Sequence, residues 1–183
     1  AIDSARESVS LCSYIFDNDA SGMKFIAALQ RAIKRGVAVR VLVDAAGTRY
    51  SWPPITRKLR QAKIPFAKFL PTSIFAPWRV ATINLRNHRK SLVVDGQTAF
   101  TGGMNIRHGN MILENPKSPV QDLHFRVTGP VVAELQEVFA SDWAYTTNEI
   151  LNGEPWFPGL AETGGVIARV VPDGPDGDFE NTR

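Results

Sequence analysis

Valine recurs at every second position of VAVRVLVD (37–44). Strand side chains alternate between faces, so this stretch predicts a β-strand with one continuous apolar face. SVSLCSYIF (8–16) predicts another strand, mostly buried. Between the two, Phe25, Ile26, Leu29 and Ile33 fall on one helical face, which predicts a helix over 20–35 with Gly36 as its stop. Strand, helix and strand in succession predict a parallel pair joined by a right-handed crossover.

The pattern continues with a helix over 54–62 and a strand at IPFAKFL (64–70). Residues 71–84 are irregular and apolar, with Phe75, Pro77 and Trp78; they fit a loop packed on the core or the wall of a site. SLVVDGQTAF (91–100) is two β-rich runs joined by Asp95-Gly96, a strong hairpin signal. LHFRVTG (123–129) adds a strand, and Gly129-Pro130 opens a helix with Val131, Leu135, Val138, Phe139 and Trp143 as its apolar face. These elements predict an α/β fold, a mixed β-sheet flanked by α-helices, over residues 1–150.

After residue 150 the character changes. NGEPWFPGLAETGG (152–165) is rich in Gly and Pro, which predicts a linker over 151–165. VIARVV then reads as a strand with no local partner, so residues 166–183 are expected to be the first strand and start of a second domain. At the other end, AIDSARESV reads as the middle of a helix, and the chain is expected to be an excised piece of a longer protein.

Composition narrows the picture only a little. Hydrophobic residues make up 44% and charged residues 21% of the 183, ordinary values for a globular domain. A net charge of +3 permits an anionic partner but is too small to argue for one. Cys12 is the sole cysteine and sits in an apolar run, so neither a disulfide framework nor paired zinc ligands can be built on it. No stretch reaches the roughly 18 apolar residues of a membrane span.

The chemistry concentrates in RNHRKSLVVDGQTAFTGGMN (86–105). If the strand reaches back to His88, then His88 and Lys90 share a face. An imidazole can attack or exchange protons near neutral pH, and an ammonium beside it can neutralise phosphate oxygens. Asp95 lies at an odd offset from His88 and fills the hairpin turn, so the local reading makes it structural. Gly102 and Gly103 let backbone N–H groups approach an anion, and Asn105 adds a side-chain amide at the same end.

Together these spacings resemble the signature of the phospholipase D superfamily: His88, one residue, Lys90, four residues, Asp95, six residues, then Gly102-Gly103. Within it, RNHRK, GGMNI and QDLHFRVTGPVVAELQEVFASDW (121–143) are similar to the N-terminal catalytic domain of bacterial cardiolipin synthases. The resemblance implies a phospholipase D-like domain with one of the two motifs that meet at such a site. One His attacks a phosphodiester phosphorus to give a phosphohistidine, and the other protonates the leaving alcohol. Neither metal nor other cofactor is implied.

Carried onto this chain, the resemblance implies a catalytic set of His88, Lys90, Asp95 and Asp122. His88 is nucleophile or acid/base, with nucleophile preferred. Lys90, Gly103 and Asn105 would hold the phosphoryl group. Asp122, 34 residues after His88, would orient the imidazole. His108 and His124 lack a Lys two positions on; His124 shares a strand face with Asp122 and fits a structural or supporting role. Asp44, ending the Val-rich strand, is a rim candidate.

Three functions follow as expectations. The first is the N-terminal half of a phosphatidyltransferase acting on a phosphatidylglycerol-like lipid, its parent at the bacterial inner membrane. Its partner would be the second motif-bearing domain of that parent. The second is a one-motif phosphodiesterase or nuclease completed by a homodimer partner. The third is a domain that binds phosphate without turnover. Nucleic acid is disfavoured, because KR (34–35) and RKLR (57–60) read as solvated helix faces.

Overall fold

The computed structural model describes residues 1–70 and 86–172. The apolar segment expected over 71–84 therefore lies outside the described residues, as does the end of the second-domain segment from 173 onward.

Six strands form one mixed sheet in the order β3-β2-β1-β4-β5-β6: β1 (Ser8–Ser13), β2 (Ala38–Asp44), β3 (Phe66–Phe69), β4 (Ser91–Val94), β5 (Thr98–Gly102) and β6 (His124–Thr128). β1, β2 and β3 run parallel, as strand–helix–strand units require. β4, β5 and β6 form an antiparallel meander, and β4 also pairs antiparallel with β1. β1 is thus the strand with a parallel neighbour on one side and an antiparallel one on the other.

Helices cover both faces. Asp19 caps α1 (Ala20–Lys34), its side chain accepting from the Gly22 amide at 2.9 Å, and Gly36 leaves the helix at φ +89°. α1 and α2 (Ile55–Gln61) bury Ile26, Leu29, Ile55 and Leu59 against Val9, Val39, Val41 and Val43. The alternating valines thus all serve one core. α3 (Val131–Thr147) covers the other face, where Phe139 and Trp143 meet Cys12 and Leu42. Cys12 is buried, as its apolar run predicts.

Three expectations change. The buried line of α3 is Val132, Gln136, Phe139 and Trp143; Val131, Leu135 and Val138 lie to its flanks. The hydropathy pattern missed Gln136 because that line includes an amide. Residues 2–4 form a short 3-10 turn leading into β1, not the middle of a helix, because Asp95 captures the backbone at 6–8. Finally, the stretch after α3 is packed: Leu151 and Trp156 are buried in the α3-side core. Arg40 binds Glu149 through Nε at 2.9 Å, and its guanidinium lies 5.8 Å from the rings of Trp143 and Trp156. VIARVV forms no ladder, and Val166 and Ile167 are exposed.

Candidate active site

His88 and Lys90 lie just before β4, where the chain has no regular pairing. Residues 88 and 90 still share a side. The Lys90 ammonium is 3.1 Å from His88 Nδ1 and donates to the His88 carbonyl at 2.6 Å. Lys90 is buried, and that burial pushes its ammonium below the ordinary lysine range, against the opposing charge of Asp122. Burial first, and then the Lys90 charge, hold the His88 imidazole below the usual histidine range; Asp44 opposes both. The ring is therefore held toward its neutral form, which keeps a lone pair on one nitrogen.

Tyr14, which follows β1, completes this corner. Its ring centroid lies 4.4 Å from that of His88, and the Lys90 Nζ is 5.4 Å from the Tyr14 ring. Tyr14 in turn meets Tyr50 edge-on at 6.2 Å. The sequence reading missed Tyr14. The signal available was its place at the C-terminal end of a buried parallel strand, where α/β sheets set their ligands.

Asn105 reaches the same end of the sheet from beyond β5. The chain at 15–17 pairs with Ile106, and Asn105 Oδ1 accepts from the Ile15 amide at 3.0 Å. That bond turns the side-chain NH₂ away from Ile15, and among the described residues it has no partner. Lys90, Asn105 and His124 line a cavity of about 210 Å³ whose other lining is mainly apolar, with Leu11, Phe25 and Phe100.

Asp122 sits against Gly103 and accepts from the Leu123 amide at 2.8 Å. Its charge acts on Lys90 and on His124. It makes no hydrogen bond to His88; the carboxylate that acts on His88 through space is Asp44. His124 is half-buried, its Nδ1 has no partner among the described residues, and burial lowers its pKa. His108 lies elsewhere, its amide donating to Asp19 and its ring 3.7 Å from Glu114.

Asp95 is not brought to His88. It occupies the hairpin turn with φ +54° at the far end of β4, and its carboxylate accepts from the amides of Arg6, Glu7 and Ser8 at 2.8–3.1 Å. This placement is the turn position that the local reading gave it. Among the described residues, no group of three or more His, Cys, Asp or Glu side chains is arranged to hold a metal ion.

Comparison with known proteins gives the arrangement a family context. The family model described as "Cardiolipin synthase, PLD-like domain" matches residues 1–143. Cardiolipin synthase 1 of Bacillus anthracis is 34% identical over 195 residues, covering 100% of this chain and 37% of its own length. Cardiolipin synthase A of Pseudomonas fluorescens is 35% identical over 181 residues, with 98% of this chain and 37% of its own length covered. The chain thus spans little more than a third of these curated relatives.

Solved structures share the fold, among them the following two. Nuc from Salmonella typhimurium, described as a phospholipase D family member, superposes with a TM-score of 0.56 at 22% identity, covering 80% of this chain and 84% of its own. Phosphatidylserine synthase from Haemophilus influenzae gives a TM-score of 0.56 at 16% identity, with 78% and 32% covered.

Proposed function

Because this chain belongs to the phospholipase D-like domain family of the cardiolipin synthases, we propose that it supplies one half of a phosphatidyl-transfer site, with His88 as the nucleophile. The observation that carries the reading is the pairing of His88 with the buried Lys90 at 3.1 Å, with the Asn105 amide at the same sheet end. A neutral imidazole beside an ammonium and an amide donor suits a phosphodiester, which is anionic and electrophilic at phosphorus.

Transfer takes two steps. The lone pair of a His88 ring nitrogen attacks phosphorus and forms a P–N bond. The P–O bond to the headgroup alcohol breaks, and its oxygen takes a proton from an acid supplied by a second motif. An acceptor alcohol then attacks phosphorus, the P–N bond breaks, and the proton of that alcohol passes to the same second group. Lys90 and Asn105 offset the charge on the non-bridging oxygens.

Lys90 also bears on which ring nitrogen reacts. An ammonium donating to Nδ1 leaves the ring proton on Nε2. When Lys90 turns to a phosphoryl oxygen, Nδ1 is released to take that proton, and Nε2 gains the lone pair. Arrival of the substrate thus arms the nucleophile. On this reading the substrate is a phospholipid of the phosphatidylglycerol kind at a bilayer surface. Residues 1–150 act as one domain, together with the packed stretch through Trp156. No helix among the described residues is long and apolar enough to cross a membrane.

The test is adduct trapping. The chain, joined to the second motif-bearing domain that supplies the acid, is incubated in metal-free buffer with phosphatidylglycerol micelles or with single-stranded DNA, quenched in alkali and weighed by intact-mass spectrometry. A phosphatidyl increment that is acid-labile and absent from His88→Ala is the expected result. An adduct from DNA alone would reassign the site to a nuclease, and no adduct from either would overturn His88 as nucleophile.

A further inference from the structure

The residues on either side of His88 face the opposite way, and they are held from the back of the sheet. Asn87 is buried. Its amide N–H donates to Asp44 Oδ2 at 3.2 Å, and its side-chain Nδ2 donates to Asp142 Oδ2 at 2.7 Å. Its Oδ1 accepts from the Arg89 amide at 3.2 Å and faces Cys12 Sγ at 3.5 Å. Arg89 then closes the circuit: Nη1 donates to both Asp142 oxygens, at 3.0 and 2.8 Å. Asp44 is itself fixed, accepting from the amides of Ala46 and Gly47 at 2.8 and 3.1 Å.

This circuit stands where a ladder is missing. β4 begins only at Ser91, so residues 87–90 have no strand neighbour to hold their backbone. A buried backbone N–H must find a partner: the Asn87 amide finds Asp44 at the end of β2, and the Arg89 amide finds the Asn87 side chain, which Asp142 of α3 holds in turn. Apart from the two that fix Asp44, every bond counted above lies on residue 87 or 89, one step before or after His88. The imidazole is therefore aimed by anchors that do not touch it.

We propose that Asp142 and Arg89 are positioning residues for His88, acting through Asn87 from the face of the sheet opposite the site. Asp44 shares the task from the end of β2. The inference rests on the reading of His88 and Lys90 as a phosphoryl site. It makes the RNHRK run intelligible as two interleaved sets, with His88 and Lys90 for chemistry and Asn87 and Arg89 for aim. Burial raises the Asp142 carboxyl above its usual range, and the Arg89 and Asn87 donors oppose that.

Orthovanadate serves as the probe, since it takes the shape of a phosphoryl group under attack. Its binding is titrated in parallel with the His88 imidazole NMR signals and Tm. Wild type is expected to bind vanadate and to show one set of His88 signals. Asp142→Ala is expected to weaken binding about tenfold, the scale on which removing supporting residues acts at comparable sites, and to broaden or split the His88 signals. Arg89→Leu/Asp142→Leu leaves no unpaired buried charge, so it is read where Asp142→Ala fails to fold, and the same loss is expected. Leu135→Ala, on α3 but outside the circuit, is expected to lower Tm and leave binding unchanged. Wild-type binding that persists undiminished in the folded Asp142 variants, with a single set of His88 signals, would overturn the inference alone. Absence of binding by wild type would overturn the phosphoryl-site reading and the inference with it.

Discussion

A methyl group placed on Gly103 would lie 2.1 Å from Oδ1 of Asp122 and 2.4 Å from its Cγ and Oδ2. The second glycine of the pair is therefore the floor on which a carboxylate rests. That carboxylate acts on Lys90 and His124, so its seat belongs to the electrostatics of the site. Gly103→Ala is expected to push Asp122 out, destabilise the fold by about 1–2 kcal/mol and weaken vanadate binding. In a double-mutant cycle, Gly103→Ala should be nearly without thermal effect once Asp122→Ala has removed the clash. Additive melting losses would show that the glycine matters for some other reason.

Asp95 makes the opposite prediction. It accepts three backbone amides at residues 6–8 and sits away from His88. Asp95→Ala is expected to cost about 2 kcal/mol, since charge-assisted bonds are lost and an L-residue remains at positive φ. Histidine adduct formation per folded molecule should stay at the wild-type level. A kinetic defect at unchanged Tm would return Asp95 to the catalytic set.

The pH dependence of stability follows from two rings. Burial holds both His88 and His124 below their ordinary value of 6.5. Between the folded values and 6.5, the unfolded chain binds more protons than the native one, so stability rises with pH there. It is lost as pH falls from 6.5 through the folded values, and the loss levels off below them. Asp17 and Asp142 act with the opposite sign in the acid range: burial raises their carboxyls above 3.8, so stability is recovered as pH falls through their folded values. Tm should drop from about pH 7.5 to about pH 5.5, and less steeply in His88→Ala/His124→Ala. An identical slope in that variant would show that other groups carry the effect.

Gln136 is 1% exposed, and its Nε2 has no hydrogen-bond partner among the described residues. A buried donor without an acceptor is a standing cost, so Gln136→Leu is expected to stabilise the protein by about 1 kcal/mol. Differential scanning calorimetry should register a rise in Tm of about 3 °C. A fall would mean that the amide does bond in solution.

Much of this was written into short-range pattern. The Val alternation of β2, the Asp-Gly turn and the His88–Lys90 spacing each depend on a few neighbouring residues. A strand that reverses at Asp95-Gly96 also returns Asn105 to the end where His88 lies. What the sequence could not disclose was assembled across long separations. Tyr14 touches His88 because β1 pairs with β4, and no local pattern states that pairing. The circuit of Asp44, Asn87, Arg89 and Asp142 draws on β2, α3 and the approach to β4. Apart from Asp44, a rim candidate by its place at a strand end, its members look like ordinary surface polar residues until the sheet places them together. The packing of the stretch after α3 was hidden for a related reason: Gly and Pro mark breaks in regular structure, and say nothing of whether an intervening Trp156 packs.

The mixed sheet has a consequence for the order of events in folding. β1, β2 and β3 are contained in residues 8–69, and β4, β5 and β6 in residues 91–128, so each half can zip from near neighbours. The β1–β4 seam is different, because it joins Val9 to Val94 across nearly half of the chain, and closing so long a loop is slow. Tyr14 stands on one side of that seam and His88 on the other. The ring contact between them therefore forms only when the two halves dock. In a refolding experiment, the His88 environment should mature in the last phase, after the hairpin and the parallel unit are already protected from hydrogen exchange. The reactive corner is a certificate that the whole domain has closed.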